Sequence, residues 1–121
     1  MVDCITLTVP AKESALMVVR LTAAGVAARM EMDLETLDDV KTAVYEACYA
    51  MTMQKFIPEQ LAICFAPGEP FAVKICAEGT WRETAGKVPD LKLCYAVLTT
   101  MIPHVKVDMD ERKIRCIELH R

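Results

Sequence analysis

Glu46 lies in the stretch Glu46-Ala47-Cys48-Tyr49-Ala50-Met51, one carboxylate among small and apolar neighbours. A carboxylate so placed is a candidate catalytic group. The spacing also supplies a plainer reading. Glu46 follows Asp39 by seven residues, about two helical turns, so it starts on a polar flank and could be a partly solvated helix charge. The other reactive side chains are six cysteines, at 4, 48, 64, 76, 94 and 116. They lack the close pairing of zinc sites, and each falls within an apolar pattern. They read as buried thiols, with a bridge, a metal or a reactive thiol as alternatives. His104 and His120 stand apart from any cluster at ligand spacing and support neither a metal nor a triad.

The chain that must position these groups has 121 residues, 54% hydrophobic and 26% charged, enough for one domain with a full core over 1–121. Its formal net charge is -3 and its pI about 5.4, without a long Lys or Arg run, which argues against a nucleic-acid partner. The longest mostly apolar run, Leu93 to Ile102, is well short of the roughly 20 residues that span a bilayer, so no membrane partner is expected. Asp3 stands where a secretory leader would carry basic residues, and the reading is a cytoplasmic protein.

Periodicity supplies the elements. Ile5, Leu7 and Val9 alternate with threonines as a first strand ending at Pro10. Leu16, Val19, Ala23, Val26 and Met30 recur at helical spacing, with Ser14 as the expected N-cap and Arg20 and Arg29 off the stripe. Asp33 caps a second helix whose stripe is Leu34, Leu37, Val40, Val44, Ala47 or Cys48, and Met51, and Pro58 is expected to stop it. Two strands, 61–66 and 71–77, flank Pro67-Gly68-Glu69-Pro70 as a hairpin. The polar stretch 78–89 reads as a loop, and Asp90 as the cap of a third helix, apolar almost all round and expected to be buried. A last hairpin joins 104–110 to 112–119. The order β-α-α-β-β-α-β-β predicts an α+β two-layer sandwich: a mostly antiparallel five-stranded sheet with three helices on one face.

Three stretches in that order resemble the bacterial anti-sigma-factor serine kinases, or switch-protein kinases, of the GHKL (histidine-kinase-like) ATPase superfamily. Residues 20–30, Arg-Leu-Thr-Ala-Ala-Gly-Val-Ala-Ala-Arg-Met, look like the first helix of those proteins, and residues 38–48 like their second; the closing stretch 102–119 extends the likeness. The resemblance implies the histidine-kinase-like ATPase fold and, in active members, ATP and magnesium. Such members carry Glu-Ala-x-x-Asn on the second helix, the Glu as base and the Asn on the magnesium. This chain keeps Glu46 but has Ala50 at the second position, which offers no oxygen to a hard cation. The family's Asp-x-Gly-x-Gly, which holds adenine, reads Ala77-Glu78-Gly79-Thr80-Trp81, and only Gly79 remains. The Gly-Leu-Gly-Leu turn that holds phosphates at the last helix reads Asp90-Leu91-Lys92-Leu93; Asp90 as cap would occupy those amides, with Lys92 partly offsetting its charge. The lid between Gly79 and Asp90 is also short, and Trp81 is expected to fold back over the site.

With adenine, metal and phosphate contacts all altered, Glu46 reads as a relic base and no cofactor is expected. The leading expectation is a non-catalytic regulatory module that binds a sigma factor or an anti-anti-sigma antagonist, commonly as a homodimer, as the resemblance implies. Arg20, Arg29, Glu35, Asp38 and Asp39 are candidate contact groups, against the alternative of an ordinary solvated helix face. Two alternatives stay open: an ATP-dependent serine kinase with a rebuilt site, and a small-molecule sensor that uses the vacated pocket, where Ala50, Ala77 and Trp81 would suit a less polar ligand than ATP.

Overall fold

Alternating Ile5, Leu7 and Val9 form strand β1, Ile5–Pro10, on one edge of a five-stranded antiparallel sheet ordered β1-β2-β3-β5-β4. The structure, a computed structural model, describes residues 4–121; Asp3, weighed above against a leader, lies outside them. The other strands are β2 (Phe56–Ala66), β3 (Ala72–Glu83), β4 (His104–Asp110) and β5 (Lys113–His120). Helices α1 (Leu16–Arg29), α2 (Leu34–Thr52) and α3 (Leu91–Thr99) complete a two-layer α+β sandwich.

Register explains where the core sits. Leu7, Ile63, Ile75, Ile117 and Val107 face one another in a single row across all five strands, and Ile5, Phe65, Val73, Leu119 and Val105 form the next. The central members of both rows are buried. Burying each such side chain is worth roughly 1.5–3 kcal/mol, so these two rows alone fix which face the helices must cover. The alternate row, Thr6, Cys64, Lys74, Glu118 and Lys106, is polar and alternates in charge over its last three positions. That is the outer face.

The helices follow their stripes with three departures. Ser14 does not cap α1; it lies in a 3-10 turn, Glu13–Ala15, and Ala15 at the N-cap position makes no side-chain cap bond. Asp33 does cap α2, its Oδ1 accepting from the Thr36 amide at 2.7 Å. Leu34 is 85% exposed; at 3.6 residues per turn it stands roughly 100° from the centre of the buried stripe, which begins at Leu37. Asp90 caps α3 by accepting from the Leu93 amide at 3.2 Å, but of that helix only Leu98 is buried. Helix α3 covers β4 at the end of the sheet, and among the described residues no further layer lies outside it.

Both strands of the first hairpin run further than expected. Helix α2 ends at Thr52, before Pro58, and β2 begins at Phe56. Pro58 sits where the register shifts between Pro58 and Gln60, and a bulge is where a strand tolerates a residue without an amide proton. Opposite this shift, Gly79 carries φ +86°, and Glu59 fills the space where a Cβ would lie, its own Cβ 2.8 Å from that position. The stretch expected as loop from 78 is therefore strand up to Glu83. Gly79 is required by the bulge.

The cysteines divide by position. Cys48 is buried, and desolvation pushes its thiol up to about 12; burial also raises the thiol of Cys94. Cys76 and Cys116 are joined as a disulfide between register partners of β3 and β5, their Cα atoms 4.2 Å apart. A pairing 40 residues apart in the sequence comes from sheet register, which spacing along the chain does not reveal. Cys4 is exposed, Cys64 and Cys94 are only partly buried, and Cys76 and Cys116 are bridged, so the expectation of buried thiols holds for Cys48 alone. His120 faces Glu118 at 3.6 Å on the outer sheet face.

Candidate functional site

A cleft of about 280 Å³ opens between α2, α3 and the segment that joins β3 to α3. It forms because α2 and α3 lie over different parts of the sheet and the seam between them is incompletely filled. From α2 come Glu46, Tyr49, Ala50 and Met53; from α3 come Leu93, Cys94, Val97 and Leu98. Lys87, Val88, Pro89 and Asp90 form the wall contributed by the connection, and Gln54 and Ile114 the floor. The lining is mainly apolar, with Glu46 and Asp90 negative and Lys87 positive. Several rim residues are exposed large hydrophobics: Met53, Val88, Leu93 and Val97.

The floor is held by one buried amide. Gln54 accepts from the Ile114 amide at 2.8 Å and donates to the Ile114 carbonyl at 3.2 Å and the Met51 carbonyl at 3.3 Å. The end of α2 is thereby tied to the start of β5. The connecting segment is fixed to the same point: the Lys55 amide donates to the Lys87 carbonyl at 3.0 Å, the Thr84 amide to the Lys55 carbonyl at 2.7 Å, and the Thr84 hydroxyl to the Gln54 carbonyl at 3.1 Å. Gly86 packs so closely on this strap that a Cβ would lie 2.9 Å from the Gln54 carbonyl oxygen. Residues 87–90 are a wall of the cleft, and the segment that carries them is anchored at Thr84 and Lys87.

Of the residues singled out in the sequence, Glu46, Ala50 and Asp90 meet at this cleft. The remaining four stand elsewhere. Ala77 packs against the sheet core, Gly79 faces Glu59, and Lys92 is exposed on α3. Trp81 lies on β3 opposite Pro58, its ring under Lys113 Nζ at 5.2 Å, and it does not cover the cleft. The same Lys113 and Arg112 also approach the Phe56 ring, at 5.9 and 5.6 Å. Glu46 is half-buried, and among the described residues no ion pair holds it. Gln54, Tyr49 and Cys94 were not legible as site residues, since nothing in their spacing separates a cleft wall from a core face.

The candidate contact groups divide between the two ends of the α1–α2 pair: Arg29, Glu35, Asp38 and Asp39 stand near the turn that joins the helices, and Arg20 stands towards the cleft. Arg20 is half-buried with its guanidinium over the Tyr45 ring at 5.7 Å, and Tyr45 stacks on Tyr49 at 6.2 Å. This stack runs from α1 to the cleft wall. Arg29 is exposed in the last turn of α1, and Glu35 is exposed in the first turn of α2. Asp38 pairs with Lys41 at 3.3 Å, and Asp39 is half-buried. Thr36, first through its amide, holds the Asp33 carboxyl below its ordinary range, and the Thr80 hydroxyl and amide do the same for Glu59.

No family model matches the chain. Two curated proteins are similar to part of it. A serine-protein kinase RsbW from Bacillus pumilus is 47% identical over 47 residues, 39% of this chain and 29% of the kinase. A serine-protein kinase RsbW from Halalkalibacterium halodurans is 46% identical over 46 residues, 38% of this chain and 28% of the kinase. In both cases the likeness spans under a third of the relative's length.

Proposed function

We propose that this chain is a non-catalytic regulatory module of the anti-sigma type, acting by contact with a sigma factor or with the antagonist that competes for it. The observation that carries the reading is the chemistry of the cleft between α2 and α3. At the position where an active kinase would place a metal-binding amide the wall has the methyl group of Ala50, and at the start of α3 the amide of Leu93 is already taken by Asp90. Magnesium ATP does not fit such a wall, since the metal needs oxygen ligands and the triphosphate needs open amides. Gly79, the one remaining residue of the adenine motif, answers to the bulge at Glu59. The partial likeness to serine-protein kinases supports the regulatory family, and the exposed ends of α1 and α2 supply Arg29, Glu35 and Asp38 for contacts.

The test has two parts. A thermal-shift titration with millimolar ATP and magnesium should leave the unfolding midpoint unmoved, because a ligand of the folded state must raise it. Co-purification of the tagged chain from the cells that make it should recover a sigma factor or its antagonist, and Arg29→Glu should reduce that recovery.

A second reading, an ATP-dependent serine kinase with a rebuilt site, draws on Glu46 facing the cleft and on the kinase names of both relatives. A magnesium-dependent thermal shift, with serine phosphorylation of the partner abolished by Glu46→Gln, would establish it in place of the first.

A further inference from the structure

We propose that the cleft between α2 and α3 binds a small amphiphilic cation: an apolar ring or branched body of about a dozen heavy atoms carrying one amine. Size, lining and charge each point this way. A dry apolar cavity of about 150 Å³ accepts benzene, so by proportion the 280 Å³ here holds a body near twice that size. Binding pockets are mostly apolar with few polar groups that orient the ligand, and the wall from Tyr49 and Ala50 to Leu98 and Ile114 has that composition. The charged groups are two carboxylates, Glu46 and Asp90, against one ammonium, Lys87. Asp90 has one oxygen engaged by the Leu93 amide, while no ion pair among the described residues engages Glu46. The excess of negative charge favours a cationic head and disfavours anions, phosphates included.

The cleft is preformed. Gln54 and the strap 84–90 fix its floor and one wall through backbone bonds, so a ligand need not order them on entry. The inference is independent of any protein partner.

The experiment is an NMR titration of the whole chain with 1-naphthylmethylamine and, separately, 1-naphthoate, which share a ring and differ in the sign of the head group. The amine should saturate with shifts confined to 46–54, 87–98 and the neighbourhood of Ile114, and bind about tenfold more tightly than the acid. Glu46→Gln should cut that preference at least threefold. Ala50→Phe should fill the cleft and abolish binding. Should Ala50→Phe unfold the chain, Leu93→Lys, which places a positive charge at an exposed rim position, should weaken the amine severalfold. Absence of saturation, equal affinity for amine and acid, shifts centred elsewhere, or competition by ATP would overturn the proposal. Failure to find a protein partner would leave the titration unchanged.

Discussion

The sheet core and the seam between α2 and α3 are both lined with aliphatic side chains, and they are built to different standards. In the core, Ile63, Ile75 and Ile117 face one another in register and are fully buried. In the seam, Leu93 and Val97 face a cleft, 61% and 39% exposed. A sheet imposes register on its residues, so each core position has a fixed partner. Two helices resting on different parts of that sheet have no such constraint, and the space between them is left for something else.

The widest separation between the regions should appear on truncation. Ile75→Ala should cost about 2–5 kcal/mol in urea unfolding, from lost transfer energy and the cavity left behind. Leu93→Ala should cost no more than about 0.5 kcal/mol. Equal losses would erase the distinction. Next in size is the junction between the two regions: Gln54→Leu removes the partner of both Ile114 backbone groups and should cost about 1–3 kcal/mol, read in the same assay. Asp90→Ala, which uncaps α3 without touching the core, should cost about 1 kcal/mol in thermal melts.

The smallest effect concerns pH and lies outside both regions. Asp33 and Glu59 have depressed folded-state proton affinities, through their bonds to Thr36 and Thr80. Groups of this kind stabilise the fold above their ordinary values near about 4 and lose that contribution as pH falls through the lower folded value. The double variant Asp33→Asn, Glu59→Gln should therefore show a flatter decline in urea midpoint between about pH 4.5 and 3 than the parent chain.

Periodicity made the order of elements and both hairpins readable, since alternating and 3-4 spacing reflect which side chains a sheet or helix can bury. It also placed the caps at Asp33 and Asp90, where a side-chain oxygen meets a free amide. It misplaced the strand limits around Pro58 and Gly79, because a bulge is a relation between two strands and neither alone announces it. The burial of α3 was overread for a similar reason: α3 rests on β4 and only partly on α2, which leaves most of its apolar surface uncovered. At the cleft, Glu46, Ala50 and Asp90 were named together, whereas Gln54 was not, since its two bonds to Ile114 reach 60 residues along the chain.

Tyr95 on α3 has an effect beyond its own helix. Its hydroxyl accepts from the Val107 amide at 2.9 Å, on the outward side of the last strand, where Lys106, Asp108 and Asp110 also stand exposed. An unpaired strand amide invites another strand to add on, and here one is already occupied while charges flank it. Tyr95 thus removes one edge amide from those an added strand would need, and the helix that leaves the cleft open also helps to guard the edge of the sheet.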